Sequence, residues 1–559
     1  MSSKYAIGVD FGTESARAVL VAVADGREVA TAVHTYANGV IDERLPGSGV
    51  RLEPDWALQD PNDYIETLKQ TIPAMLRESG VSPDTIIGLG IDFTACTMLP
   101  TTAGGTPLCF VPDYRDQPHA WVKLWKHHAA QPEADRINEV ARERGEKWLD
   151  LYGGKISSEW FFSKALQILN EAPHIYRAAG RLIEGADWVI WRLTGRETRN
   201  SCTAGYKAIW QKGAGFPGRD YFAALHPDFA DVVDTRMSRE ILPVGARAGG
   251  LTPEAADWTG LRPGTAVAVA NVDAHVTVPA AQATQPGVMV IIMGTSNCHM
   301  VLGEKLERVP GMCGVVEDGI VPGYYGYEAG QSGVGDIFAW FVDNAVPPEY
   351  HAAAERAGMN LHAYLEAEAA KQKPGEHGLL ALDWWNGNRS VLVDVDLSGL
   401  LIGATLATRA PDIYRALIEA TAFGTRVIIE SFETSGVPIK ELVAAGGLPE
   451  KNKLLMQIYA DVIGLPMKVA ASEQTCALGA ALFGAAASGT TTLAETQRAS
   501  CKIQDRVYTP NPENQQGYAR IYQLYRELHD AFGTAQWHGK MDHVMKDLIA
   551  IRQQARGRK

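Results

Sequence analysis

The sequence contains no apolar run long enough to cross a bilayer; its Ala-rich stretch from Cys476 to Gly489 is too short. It also lacks a lysine- or arginine-rich block. Its 52 basic residues are outweighed by 65 acidic ones, for a net charge of −13, which argues against a nucleic-acid partner and against a membrane partner. Cysteine is scarce and scattered: Cys96, Cys109, Cys202, Cys298, Cys313, Cys476 and Cys501 form no C-x-x-C pair. A disulfide-stapled module, a zinc ribbon and a redox dithiol are therefore not indicated, and the thiols fit a reducing compartment. No G-x-x-x-x-G-K-[ST] phosphate loop occurs. Asp10 interrupts the N-terminal segment before a secretory apolar core can form. The expectation is a cytoplasmic protein with a small-molecule ligand. At 559 residues the chain exceeds what one hydrophobic core supports, so two large domains are expected.

What is present is a repeated unit. Lys4 to Val9 is an apolar run ending in Asp10-Phe11-Gly12-Thr13-Glu14-Ser15, after which Ala18 to Val23 is apolar again. The pattern predicts strand, tight turn, strand. Half a chain later, Val288 to Met293 ends in Gly294-Thr295-Ser296 and is followed by a strand-like run from His299 to Leu302. A period of that length suggests a duplicated domain rather than a solenoid, with the ligand between the copies. Further strand-like runs are Ile86 to Ile91 before Asp92, Ala266 to Ala270 before Asn271-Val272-Asp273, and Glu441 to Ala445 before Gly446-Gly447. Helical periodicity covers Pro61 to Ser79, Glu159 to Asn170, Pro411 to Glu433 and Asn452 to Ile463. The alternation predicts an α/β fold. Gly213 to Gly218 and Pro347 to Lys373 read as surface loops or insertions, and Arg552 to Lys559 as a frayed basic end.

Glycine–hydroxyl turns just after a strand can bring backbone N–H groups against phosphate oxygens. Two of them facing each other can hold a triphosphate, with Asp10 holding Mg²⁺ through water. Each turn is equally an ordinary hairpin turn. Asp273 at a strand end is placed to accept a hydroxyl proton, and equally to cap the following helix. Lys207 and Glu328 can bind a polyol, or form a salt bridge that supports a cleft. Gly446 and Gly447 can admit an adenine ring against bare backbone, or form a plain strand-to-helix turn. His127-His128 offers no i, i+4 metal pair, and core packing is the commoner fate of Trp121, Trp125, Trp384 and Trp385.

Several of these segments together resemble one family. Asp10-x-Gly-Thr-x-Ser with Arg17, Asp187-Trp188 through Leu193-Thr194-Gly195, Gly294-Thr295-Ser296, Ala445-Gly446-Gly447-Leu448-Pro449-Glu450-Lys451-Asn452, Gln457, Ala460-Asp461, Gly464-Leu465-Pro466, and Glu473 with Ala477-Leu478-Gly479-Ala480-Ala481 look like the FGGY carbohydrate kinases. The resemblance implies an α/β, two-domain actin-like ATPase (ribonuclease H-like) fold with a ligand cleft between the domains. The pieces would be residues 1–280 (sugar and first phosphate loop), 281–500 (second phosphate loop and adenosine site) and a helical extension over 501–559. It also implies ATP and Mg²⁺ as cofactors, with nucleotide contacts from Gly12, Thr13, Ser15, Arg17, Gly294, Thr295, Ser296, Gly446, Gly447 and Asn452. Asp273 would be the catalytic base, and Ala95, Lys207, Asp273 and Glu328 would bind the sugar.

Gly153-Gly154-Lys155-Ile156-Ser157-Ser158-Glu159-Trp160-Phe161, Cys202-Thr203-Ala204-Gly205-Tyr206-Lys207, Asp273-Ala274-His275 and Tyr327-Glu328-Ala329-Gly330-Gln331-Ser332 are most similar to family members that phosphorylate L-ribulose at the 5-hydroxyl in arabinose catabolism. A kinase of another pentulose or pentitol, and a non-catalytic nucleotide- or sugar-binding relative, are the alternatives. The resemblance allows a homodimer, although no stripe in the sequence marks an interface.

Overall fold

A computed structural model of the chain describes residues 3–472 and 474–557; Glu473 of the family motif lies outside the described residues. The first half builds a seven-stranded sheet from β1 (Tyr5–Phe11), β2 (Ser15–Ala22), β3 (Glu28–Thr35), β4 (Ile86–Phe93), β5 (Arg247–Gly250), β6 (Ala266–Ala268) and β7 (Asn271–Val272). Its order is β5-β6-β4-β1-β2-β3, with β7 also pairing β4. The second half builds another seven-stranded sheet from β8 (Val288–Met293), β9 (Asn297–Gly303), β10 (Gly314–Glu317), β11 (Tyr325–Gln331), β12 (Glu441–Ala445), β13 (Met467–Ala470) and β14 (Ile503–Tyr508), in the order β10-β11-β9-β8-β12-β13-β14. In each sheet the opening strand pairs antiparallel with the next strand through a glycine–hydroxyl turn, and parallel with a later strand on its other side. The duplicated unit expected from the sequence is therefore a duplicated sheet topology.

Local signals set the helix ends. In α1 (Pro61–Ser79) the Asp60 carboxylate accepts from Asn62 N–H, proline opens the first turn, and Gly80 closes the helix at φ 66°. Tyr64, Leu68, Ile72 and Met75, spaced three or four apart, are buried against Ile7, Val9, Phe11, Leu89, Ile91 and Phe93. Burial of each such side chain stabilises the fold by about 1.5–3 kcal/mol. Alternation along β1 and β4 then turns Ala6, Gly8 and Asp10, and Gly88, Gly90 and Asp92, to the opposite face.

That face is covered by a helix from the second half of the chain, Thr475–Ala487. A Cβ on Gly90 would fall 2.0 Å from the Ala480 carbonyl oxygen, and one on Gly8 1.8 Å from that of Ala477. Only bare backbone lets this helix lie on the sheet, and it packs the second half of the chain onto the first.

Residues 347–373, read as surface loop or insertion, instead form two helices, Pro348–Arg356 and Leu361–Ala369, the latter capped by Asn360. Their Ala- and Glu-rich composition favours helix even though little of either is buried. Beyond residue 500, β14 pairs antiparallel with β13 and the helix Pro512–Gly533 follows, so this part of the chain completes the second sheet. All seven cysteines are unpaired, and no helix among the described residues is long and apolar enough to cross a membrane.

Candidate active site

Asp10 and Asp92 lie near the carboxyl ends of two neighbouring strands of the first sheet and Asn271 opens a third, Asp92 being in register with each of the other two. Alternation places Asp10 and Asp92 on the glycine-lined face, where the helix Thr475–Ala487 begins. One ligand atom each of Asp10, Asp92 and Cys476 lies within 4.8 Å of the others. Asp92 is fully buried, and neither of its oxygens has a hydrogen-bond partner among the described residues. Burial, then the charges of Asp10 and Asp273, push its carboxyl well above the usual range. Burial also raises Asp10, opposed by Asp92 and by Arg17, its neighbour across the β1–β2 hairpin.

Two crowded carboxylates, those of Asp92 with unpartnered oxygens, form a hard-oxygen donor set that suits Mg²⁺, directly or through water. Cys476 is no Mg²⁺ ligand; burial holds its thiol protonated. The sequence reading named Asp10 but took Asp92 only as a strand end. Their equivalent positions on two parallel strands become visible only once those strands pair.

Asp273 opens the helix Asp273–Ala280, two residues beyond Asn271. Its Oδ1 accepts from Ala274 N–H, in the first turn of that helix, at 2.6 Å, and the N-cap position before it is Val272, which offers no side-chain cap. Burial, followed by the charge of Asp10, raises its carboxyl to about 7. This value suits a general base near neutral pH.

Lys207 closes the helix Ser201–Lys207 in the first half of the chain, and Glu328 lies in β11 of the second sheet. Lys207 Nζ donates to both Glu328 oxygens, at 3.0 and 2.9 Å. Burial opposes ionisation of Glu328, yet Lys207 and Arg389 together hold its carboxyl down to about 2. His275 Nε2 lies 3.5 Å from the same carboxylate, and burial lowers the imidazole to about 4, keeping it neutral. The salt bridge foreseen as one of two readings is made, and it joins the two halves.

Ala95 sits in the turn after β4. There Cys96 adopts φ 60°, Thr94 and Thr97 share a hydroxyl hydrogen bond of 2.8 Å, and buried Lys164 donates to the Cys96 carbonyl at 2.6 Å. A non-glycine residue at that φ is held by its surroundings. Here the clamp is Lys164, to which no sequence motif pointed.

Both glycine–hydroxyl turns are pinned. In the first, Gly12 N–H donates to Ser15 O at 3.0 Å, Gln59 donates to Thr13 O at 2.7 Å, and the Trp125 indole donates to the Thr13 hydroxyl at 3.0 Å. Trp125, to which core packing had been given, is 37% exposed beside the loop. In the second, Gly294 N–H donates to Ser296 O at 3.0 Å, while the carbonyls of Gly294 and Thr295 accept from the backbone of residues 334–336, where the helix Gly335–Asn344 begins. Gly446, at φ 95°, abuts the end of β8: a Cβ there would come within 2.6 Å of Met293 O, whereas one on Gly447 would meet nothing within 4 Å. Gly446 and Gly447 thus adjoin the second turn and leave open space over bare backbone. Asn452 is buried and caps the helix Lys453–Ile463 by accepting from Leu455 N–H at 2.8 Å. His127 is a core residue, bonded to Gln167 at 2.9 Å.

Comparison with known proteins agrees with this arrangement. Residues 5–278 match the N-terminal domain, and residues 289–488 the C-terminal domain, of the FGGY family of carbohydrate kinases. A protein named ribulokinase from Geobacillus thermodenitrificans is 56% identical over 564 aligned residues, covering 100% of this chain and 99% of that one. Another of the same name from Mycolicibacterium smegmatis is 55% identical, covering 99% and 98%. Among solved structures, a xylulose kinase from Rhodospirillum rubrum superposes with a TM-score of 0.78 at 22% identity, over 94% of this chain and 99% of that one. The fold is the two-domain actin-like ATPase fold, and the chain belongs to the FGGY family of carbohydrate kinases.

Proposed function

We propose that the protein transfers the γ-phosphoryl group of ATP to the 5-hydroxyl of L-ribulose, in L-arabinose catabolism. The observation that carries this reading is the buried Lys207–Glu328 pair with the half-buried Asp273 and two pinned glycine–hydroxyl turns, in a chain more than half identical along its whole length to proteins named ribulokinase. Asp273 takes the proton of the attacking hydroxyl; with a carboxyl near 7 it is ionised in a large fraction of molecules at neutral pH and basic enough to accept. Lys207 and Glu328 hold the sugar beside the backbone of Ala95. Gly12, Thr13, Ser15 and Arg17 on one side, and Gly294, Thr295 and Ser296 on the other, hold the phosphates, with Gly446, Gly447 and Asn452 forming the adenosine end. Asp10 and Asp92 would hold Mg²⁺, which when bound neutralises phosphate charge. Closure of the halves excludes water, because an open site would hydrolyse ATP.

The same reading includes the three-part division at residues 280 and 500, a cytoplasmic location, supported by seven unpaired thiols, and a homodimer. Light scattering tests the last. ADP release with Mg·ATP and L-ribulose, D-ribulose, D-xylulose, L-rhamnulose, ribitol, L-arabinitol and glycerol tests the activity. The highest kcat/KM is expected on L-ribulose. A clear preference for another sugar reassigns the pocket, and ligand binding without turnover on any of them overturns the kinase reading.

A further inference from the structure

Glu328 gathers more than one cation. Besides Lys207, Arg389 donates through Nη2 to Glu328 Oε1. Arg389 belongs to the loop after Trp384-Trp385, held against β11 by Ser390, whose hydroxyl accepts from Gly330 N–H at 3.2 Å. Glu328 and Gly330 are two apart on β11 and share a face, and Cys298 of β9 is paired with Gly330. A Cβ on Gly330 would come within 3.0 Å of Arg389 Cδ and Nη1, so the bare glycine forms the bed on which the guanidinium lies. Nε donates to Cys313 Sγ at 3.1 Å, and Nη1 lies 3.8 Å from Cys298 Sγ. Sulfur is a weak acceptor, so among the described residues only one of the five N–H groups, that on Glu328, meets a strong acceptor. The Lys207 and Glu328 side chains are 5% and 3% exposed, whereas that of Arg389 is 33% exposed. Arg389 is the cation of this cluster that a ligand can reach.

Glu328 thus bridges Lys207, from the half of the chain that bears Asp273, and Arg389, from the other half. We propose that Arg389 is a substrate-binding, specificity-determining residue of the sugar site, with Glu328 orienting its guanidinium. The planar fork matches two adjacent oxygens, such as a ketose carbonyl and its neighbouring hydroxyl, which a point-like ammonium cannot engage together. This inference rests on the assignment of a sugar to the site proposed above.

The test is steady-state kinetics of Arg389→Lys and Arg389→Met, with L-ribulose and ATP varied separately and thermal melting recorded. In Arg389→Met the KM for L-ribulose is expected to rise about 10- to 100-fold, the loss of a charge-assisted hydrogen bond, while the KM for ATP stays within about twofold. Arg389→Lys keeps the charge and loses the fork; a rise of about fivefold or more is expected. An unchanged L-ribulose KM in Arg389→Lys, or KM values for sugar and ATP rising together, overturns the inference. Should Arg389→Met fail to fold, Arg389→Lys decides. If the wild type prefers another sugar, the proposed function fails and Arg389 is judged on that sugar's KM. If no sugar is turned over, calorimetric sugar affinities of wild type and Arg389→Lys decide, and equal affinities overturn the inference.

Discussion

Asp10 and Asp92 stand side by side at the carboxyl ends of two neighbouring parallel strands, both turned to the face on which the helix Thr475–Ala487 lies. A half-buried and a buried carboxylate so placed repel each other and gain most from a divalent cation. Asp92→Asn is therefore expected to raise the Mg²⁺ concentration for half-maximal activity about tenfold or more, and removal of Mg²⁺ by EDTA to abolish turnover. A Mg²⁺ titration of kcat checks both; an unchanged midpoint would exclude Asp92 from the metal site.

Asp273→Asn keeps the shape of the side chain and removes the base. A loss in kcat of about 10²- to 10⁴-fold is expected, with melting temperature close to wild type. If kcat stays within about tenfold, another group takes the proton.

The pH profile follows from the same side chain. Asp273 acts in its ionised form, and burial raises its carboxyl to about 7. The kcat/KM for the sugar should therefore fall as pH drops through about 7 and level off above it. An acid limb near 4, the value of an ordinary carboxylate, would show that Asp273 is not the group being titrated.

Lys207 and Glu328 govern a different range. Glu328 titrates at about 2 in the folded protein against 4.5 as a free side chain. Its stabilising contribution is complete above about 4.5 and is lost as pH falls through about 2. Between these limits the wild type should lose more stability than Glu328→Gln, as read by urea unfolding. Lys207→Met, which removes one partner of a buried pair, should cost about 3 kcal/mol. A cost below about 1 kcal/mol would mean that Arg389 alone satisfies the carboxylate.

Gly90→Ala tests the packing between the halves. The added methyl group meets backbone at 2.0 Å, which no rotamer change relieves. A loss of about 3 kcal/mol or more is expected, visible as a lower melting temperature. An unchanged melting temperature would mean that the helix Thr475–Ala487 can lift from the sheet at little cost.

The sequence by itself determined the α/β class, the repeated strand–turn–strand unit and the family. These are properties of short segments: a period of two or 3.6, a glycine in a turn, a motif at fixed spacing. The spans Pro61–Ser79 and Glu441–Ala445 were legible to the residue, because Asp60, Gly80 and the Gly446-Gly447 pair terminate them locally. Asp273 was legible as a strand-end aspartate, and Lys207 and Glu328 as polar residues set among small and aromatic ones and open to a salt bridge; that Arg389 shares this carboxylate was not.

The tertiary structure alone decided what depends on which strand lies beside which. Asp92 joins Asp10 because two strands far apart in the chain pair in register. Trp125 reaches Thr13, and Arg389 reaches Glu328, across long intervals of sequence. The helix Thr475–Ala487, read from the sequence as part of the second half, covers the first sheet through glycines that had no motif of their own. Contacts of this kind depend on burial and register, which no local stretch of sequence encodes.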